Sequence, residues 1–148
     1  MARTESSGAP RAGTAQVALG RRLAALPHGT LTIADAGAVP YLSGWHTIDQ
    51  LGLNDRHIAR TQRFDPGYVL GHRPDIAVIA SREADQAVPF FWDPGGGALY
   101  QACIADGLVP VTRYRFHDTY YLIVLARPGS VWAQELGGDA AAVGRAAR

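Results

Sequence analysis

The stretch Asp75-Ile-Ala-Val-Ile-Ala-Ser81 places five apolar residues in a row, with no polar residue at either phase of the alternation. Successive side chains of a strand point to opposite faces. A strand of this composition must therefore be covered on both sides, as a central strand of a parallel sheet is. That requirement restricts the chain to folds with helices on two faces of a sheet, and the remaining segments are read against it.

Upstream, Leu31 to Asp35 is a mostly apolar, partly β-branched run bounded by Gly29 and Gly37, and reads as a second buried strand. Trp45 to Asp49 reads as a third, with Trp45, Thr47 and Asp49 on one face and His46 and Ile48 on the other. Helical spacing of Val17, Leu19, Leu23 and Leu26 predicts an amphipathic helix after Thr14, ended by Pro27. A turn of helix is expected in "AVPYLSG". A short helix is expected after Asn54 as N-cap, with Leu53 and Ile58 as a hydrophobic staple. "FDPGYVLGHRPD" reads as a loop with one helical turn. "ALYQACIADG" reads as a helix closed by Gly107. "LVPVTRYRF" and "TYYLIVLAR" are two strands joined at His117-Asp118, a hairpin without a turn glycine.

Strands alternating with helices and ending in a hairpin predict an α/β fold. The expectation is a small three-layer domain with a mixed sheet, parallel at first and antiparallel at its end. The domain is expected over residues 14–128. Residues 1–13, rich in Ser, Gly, Ala, Arg and Pro, read as a disordered lead, and 129–148 as a flexible or weakly helical tail.

A chain of 148 residues is of single-domain size and can bury roughly two-thirds of its extended surface. A net charge of +1 supplies no broad field for nucleic acid or an anionic membrane, and neither is expected as a partner. No apolar run approaches the roughly 20 residues of a membrane span, and the first residues have no signal-peptide core. Taken literally, the chain is expected to be soluble and cytoplasmic. Cys103, the single cysteine, lies in an apolar run and reads as a buried thiol rather than a nucleophile.

Candidate chemistry collects at the ends of the first two strands. Asp35 and Asp49 stand at their carboxyl ends, the edge where open α/β sheets bind ligands. Two carboxylates there could bind a sugar hydroxyl or a metal, or act as acid and base. The structural alternative is that both accept backbone N–H bonds of the turns that follow. Asp55 has the same two readings, with Arg60 as an ion-pair partner. His46, His57, Asp49 and Asp55 match no compact metal-ligand spacing. No dinucleotide or Walker glycine pattern follows a strand, and no nucleophile elbow exists. No cofactor and no catalytic residue is assigned. "AVPFFWDPGGG" offers a mobile flap or a sugar-stacking surface, or else core packing by Phe90 and Phe91 with Asp93-Pro94 opening a helix. Arg113 and Arg115 share a strand face, a charged surface or a polyanion platform.

The string "DAGAVPYLSGWHTIDQLGLNDRHIAR", preceded by "LGRRLAALPHGTLTIA" and followed by "YVLGHRPDIAVI", resembles the soluble C-terminal region of bacterial C-type-fold membrane glycosyltransferases. These are the arabinofuranosyltransferase- and mannosyltransferase-like enzymes that use polyprenyl-phosphate sugars. The matching residues are Ala36, Gly37, Pro40, Tyr41, Ile48, Asp49, Gly52, Leu53, Asp55, Ile58, Ala59 and Arg60. The resemblance runs over about residues 16–82, and more loosely to 126. It implies a non-catalytic accessory domain, because in such enzymes the catalytic acid and the lipid-linked donor belong to the membrane portion. It implies an acceptor glycan or that membrane portion as partner, with Tyr41, Trp45 and Asp49 facing the glycan. As a piece of such an enzyme the domain would lie on the extracytoplasmic side. Two rival expectations stand beside it: a small enzyme with its site at Asp35 and Asp49, and an interaction module without a small ligand.

Overall fold

A computed structural model describes residues 14–34, 37–51, 56–61 and 65–146. Its centre is β3 (Ile76–Ser81), buried along its whole length. Parallel to β3 runs β1 (Thr30–Ile33), with Leu31 opposite Ile76 and Ile33 opposite Val78. Outside β1 lies β2 (His46–Asp49), also parallel. On the other side β5 (Tyr120–Ala126) pairs antiparallel with β3, and β4 (Val109–His117) closes the sheet as an edge strand antiparallel to β5. The five-stranded order is β2-β1-β3-β5-β4. The fold class is therefore the one expected, parallel at first and ending in an antiparallel hairpin.

Alternation along the strands divides the core in two. Leu31, Ile33, Val78 and Val124 face α1 (Thr14–Ala24), α2 (Ala38–Ser43) and α6 (Val131–Ala146). Ala77, Ile79, Ile123 and Leu125 face α3 (Arg56–Thr61), α4 (Pro66–Gly71) and α5 (Gly96–Ala105). Each half buries a continuous set of aliphatic side chains, the dominant favourable term in a chain of this size. The layers are thus helix, sheet and helix.

Connections place the carboxyl ends of β1, β2 and β3 on one edge of the sheet. From β1 the chain crosses one face through α2 to reach β2, then returns over the other face through α3 and α4 to β3. The two crossovers leave β1 and β3 on opposite sides, which makes the carboxyl end of that pair a topological switch point. β4 runs parallel to β3, so the tip of the β4–β5 hairpin lies on the same edge, as does the start of α5.

Three details depart from the sequence reading. The segment 129–148 holds α6, and the first half of α6 is core: Leu136 is fully buried and Trp132 and Ala133 pack beside it. The spacing of Trp132, Ala133 and Leu136 puts them on one helical face, which closes the open side of the sheet between α1 and β4. The indole Nε1–H of Trp132 donates to the Pro27 oxygen at 2.7 Å, and Arg22 pairs with Glu135 at 3.1 Å, tying α6 to α1. At the hairpin, His117 belongs to β4, and the turn is Asp118-Thr119. Asp65 serves as an N-cap: its Oδ1 accepts the Tyr68 N–H at 3.1 Å, with Pro66 opening α4. Asn54, Leu53 and the lead 1–13 lie outside the described residues.

Candidate functional site

Of the residues proposed from sequence, Tyr41, Trp45 and Asp49 are described. Asp35 and Asp55 lie outside the described residues. Asp49 is buried at the end of β2, where its Oδ1 accepts the Leu51 N–H at 3.0 Å. That is an Asx turn, the structural role an aspartate takes at such a junction. Trp45 is a correction to the glycan-facing reading: it is only 5% exposed and packs in the core with Leu23 and Val39. Its ring lies edge-on to Trp132 at 5.6 Å. The alternation that put Trp45 on a face with Asp49 holds, but α1 and α6 cover that face. Tyr41 is 88% exposed on α2. Arg113 and Arg115 do share an exposed face, and each has an acid beside it, Asp85 and Asp118.

A group that the sequence offered only in fragments assembles at the carboxyl edge. Phe90 and Trp92, from the loop after β3, stack at 5.2 Å between ring centroids with planes 16° apart. Tyr120 joins them from the hairpin, 4.7 Å from Phe90 and 6.2 Å from Trp92. Phe116 continues the group 4.7 Å from Tyr120, with planes 33° apart. His117 meets the Tyr120 ring edge-on at 5.7 Å. These rings are half-buried. Between Phe90 and Trp92, Phe91 projects 95% exposed. Phe90 thus packs as one sequence reading required, while Phe91 does not.

The residue that follows, Asp93, is 1% exposed, and among the described residues its Oδ2 has no hydrogen-bond partner. Burial pushes its carboxyl up from 3.8 to about 6. The loop is held by its main chain: the Asp93 N–H donates to the Phe90 oxygen at 3.1 Å, and the Asp93 oxygen accepts from Gly96 N–H at 3.1 Å. Gly96 opens α5 so close to this carboxyl that a Cβ there would sit 2.8 Å from Oδ2. Gly96 therefore has a packing reason.

A second unpartnered buried atom lies at the switch point. Gln50, just after β2, donates its main-chain N–H to the Ile33 oxygen at 3.0 Å and its Nε2–H to the Val78 oxygen at 3.3 Å. Its side chain thus reaches over the end of β1 to β3, and among the described residues its Oε1 has no partner.

The model of a domain of unknown function, DUF8728, matches residues 8–138. The chain belongs to the DUF8728 family. No curated protein and no solved structure matches it.

Among the described residues no three His, Cys, Asp or Glu side chains gather as a metal-ligand set, and no helix is long and apolar enough to cross a membrane. Cys103 is fully buried on α5. Burial first, and then the Asp106 carboxylate, push its thiol up to about 11 against the opposing pull of Arg127. A thiol so placed is not a nucleophile at neutral pH. The aromatic group is a set of half-buried rings with one exposed ring, Phe91, at its margin. The stretch "AVPFFWDPGGG" holds one half of this group and has no local sign of the other. Tyr120 and Phe116 stand some thirty residues later, and nothing local links the two segments. Gln50 carried no signal at all: a glutamine after a strand looks like any polar loop residue.

Proposed function

We propose that this domain is a non-catalytic, glycan-binding accessory domain related to the soluble domains of membrane glycosyltransferases. Its binding surface is the aromatic group of Phe90, Phe91, Trp92 and Tyr120. The observation that carries the reading is Phe91. A 95% exposed phenylalanine stands in a loop whose neighbouring rings are fixed against a hairpin. Water contact with a whole phenylalanine ring is unfavourable, and a ring presented from a fixed base binds with little ordering cost. The sequence resemblance over about residues 16–82 supports a glycan rather than another apolar ligand. The rival reading, an enzyme at Asp35 and Asp49, loses support from Asp49, whose carboxylate already holds the Leu51 N–H.

The test is calorimetric titration with soluble arabinofuranosyl and mannosyl oligosaccharides. The expected result is saturable binding that Phe91→Ala reduces at least tenfold, with the unfolding midpoint unchanged. No saturable binding to either class, or binding indifferent to Phe91→Ala, would overturn it. Stable capture of a membrane protein through Phe91 without glycan binding would favour the interaction-module reading instead.

A further inference from the structure

Ser81, the last residue of β3, is fully buried, and its hydroxyl makes three bonds to the loop that follows. The Oγ–H donates to the Gln86 oxygen at 2.8 Å, and the Oγ accepts the N–H groups of Glu83 at 3.1 Å and Val88 at 2.9 Å. A hydroxyl has one proton and two lone pairs. The whole capacity of this one is therefore taken up by residues 83, 86 and 88.

The same residue stands where loop and hairpin meet. Its main chain is paired with Tyr121, the neighbour of Tyr120. Its side chain holds Val88, two residues before Phe90. Val88 is fixed at its oxygen too, which accepts the Arg82 N–H at 2.9 Å. Pro89 follows with its φ set by the ring, and a residue before proline is restricted to extended conformations. The direction in which the chain reaches Phe90 is thus decided at Val88. Phe90 then meets Tyr120 at 4.7 Å and Trp92 at 5.2 Å. Among the described residues, the other side-chain ties of this segment are exposed: Gln86 with Glu83 at 2.6 Å, and Asp85 with Arg113 at 3.4 Å. Exposed pairs of this kind hold a loop weakly.

We propose that Ser81 is the positioning residue of the aromatic surface. Its hydroxyl holds the loop at the distance from the hairpin at which Phe90 and Trp92 stack on Tyr120 and Phe91 stands out. Ser81 itself touches no ligand; it acts through Val88. Without the hydroxyl, the Glu83 and Val88 N–H groups and the Gln86 oxygen turn to water, and the segment before Phe90 loses its fixed course. A ring that must be ordered during binding binds more weakly than one already in place. The effect on binding rests on the glycan reading above, whereas the effect on the loop does not.

The experiment compares wild type with Ser81→Ala and Ser81→Cys; the second keeps nearly the same volume but has only a weak donor and acceptor. Without glycan, NMR follows the ring resonances of Phe90, Trp92 and Tyr120 and the hydrogen exchange of the Glu83 and Val88 amides. The expected result in both variants is exchange at these two amides faster by about tenfold, ring resonances moved toward unstacked values, and the amides of β3 and β5 unchanged. With glycan, both variants should bind about tenfold more weakly than wild type, as a lost hydrogen bond or two would give. A Ser81→Cys protein that keeps the wild-type exchange and ring resonances overturns the proposal, since volume rather than the hydroxyl then matters. Faster exchange throughout β3 and β5 overturns it too, as a merely structural role, and so does a released loop that binds glycan as well as wild type. If wild type binds no glycan, the glycan reading fails and the loop measurements alone decide. Should neither variant fold, the wild-type amides of Glu83 and Val88 decide: protection close to that of β3 supports the proposal, and exchange at the unprotected rate overturns it.

Discussion

The indole Nε1–H of Trp45 donates to the main-chain oxygen of Leu23 at 2.9 Å, inside the core. Leu23 is in the last turn of α1, where carbonyls lack helical partners, so a side chain at the entry of β2 completes the end of another element. Trp45→Phe removes that bond and part of the contact with Trp132. We expect a loss of about 2 kcal/mol in urea unfolding, with glycan titrations unchanged. A matching loss of binding at constant stability would return Trp45 to the surface role.

Thr30 and Asp75 exchange two bonds at the amino ends of β1 and β3. The Thr30 N–H donates to Asp75 Oδ2, and the Asp75 N–H to the Thr30 oxygen, both at 2.8 Å. The neighbouring Gly29 leaves room for this clasp, since a Cβ there would lie 2.5 Å from Asp75 Oδ2 and 3.1 Å from the Trp132 ring. Gly29→Ala should destabilise by about 1–3 kcal/mol, although alanine ordinarily stabilises an unstrained position. Thermal unfolding of the single variant checks the sign.

Leu136 measures whether α6 belongs to the fold. A fully buried leucine replaced by alanine costs about 2–5 kcal/mol. A tail residue would cost nearly nothing. Denaturant midpoints of Leu136→Ala against wild type separate the two.

The Cys103 thiol, buried on α5 and pushed up to about 11, should react with a disulfide reagent only as fast as the domain opens. Labelling should accelerate in parallel with unfolding across a urea series. Prompt labelling in the native state would mean that α5 is not closed over it.

Stability itself should carry the Asp93 signature. The folded carboxyl binds its proton up to about pH 6, the unfolded one only to about 3.8. Between those values the native state holds more protons, so its stability falls as pH rises through this window. Below it the contribution is fully present, and above it the contribution is lost. The difference in stability between Asp93→Asn and wild type should therefore grow from pH 4 to pH 6 in favour of the variant and then level off. Urea midpoints at unit pH intervals give the curve.

Sequence alone determined what short-range pattern can determine. The unbroken apolar run of β3 demanded cover on both faces, and α1–α2 and α3–α5 supply it. Proline and glycine marked the ends of α1 and α5, and alternation placed Trp45 and Ile48 on opposite faces. These features depend on residues a few positions apart, whose relative directions the backbone period fixes. Tertiary structure decided which of those faces was closed. It made Trp45 core rather than ligand-facing, because α1 and α6 meet over it. It drew residues 129–138 into the domain, because Leu136 found an uncovered sheet. It assembled Phe90 and Trp92 with Phe116 and Tyr120, and buried Asp93 at the start of α5. Burial and ring contact depend on segments tens of residues apart coming together, and no local period records which segments those will be.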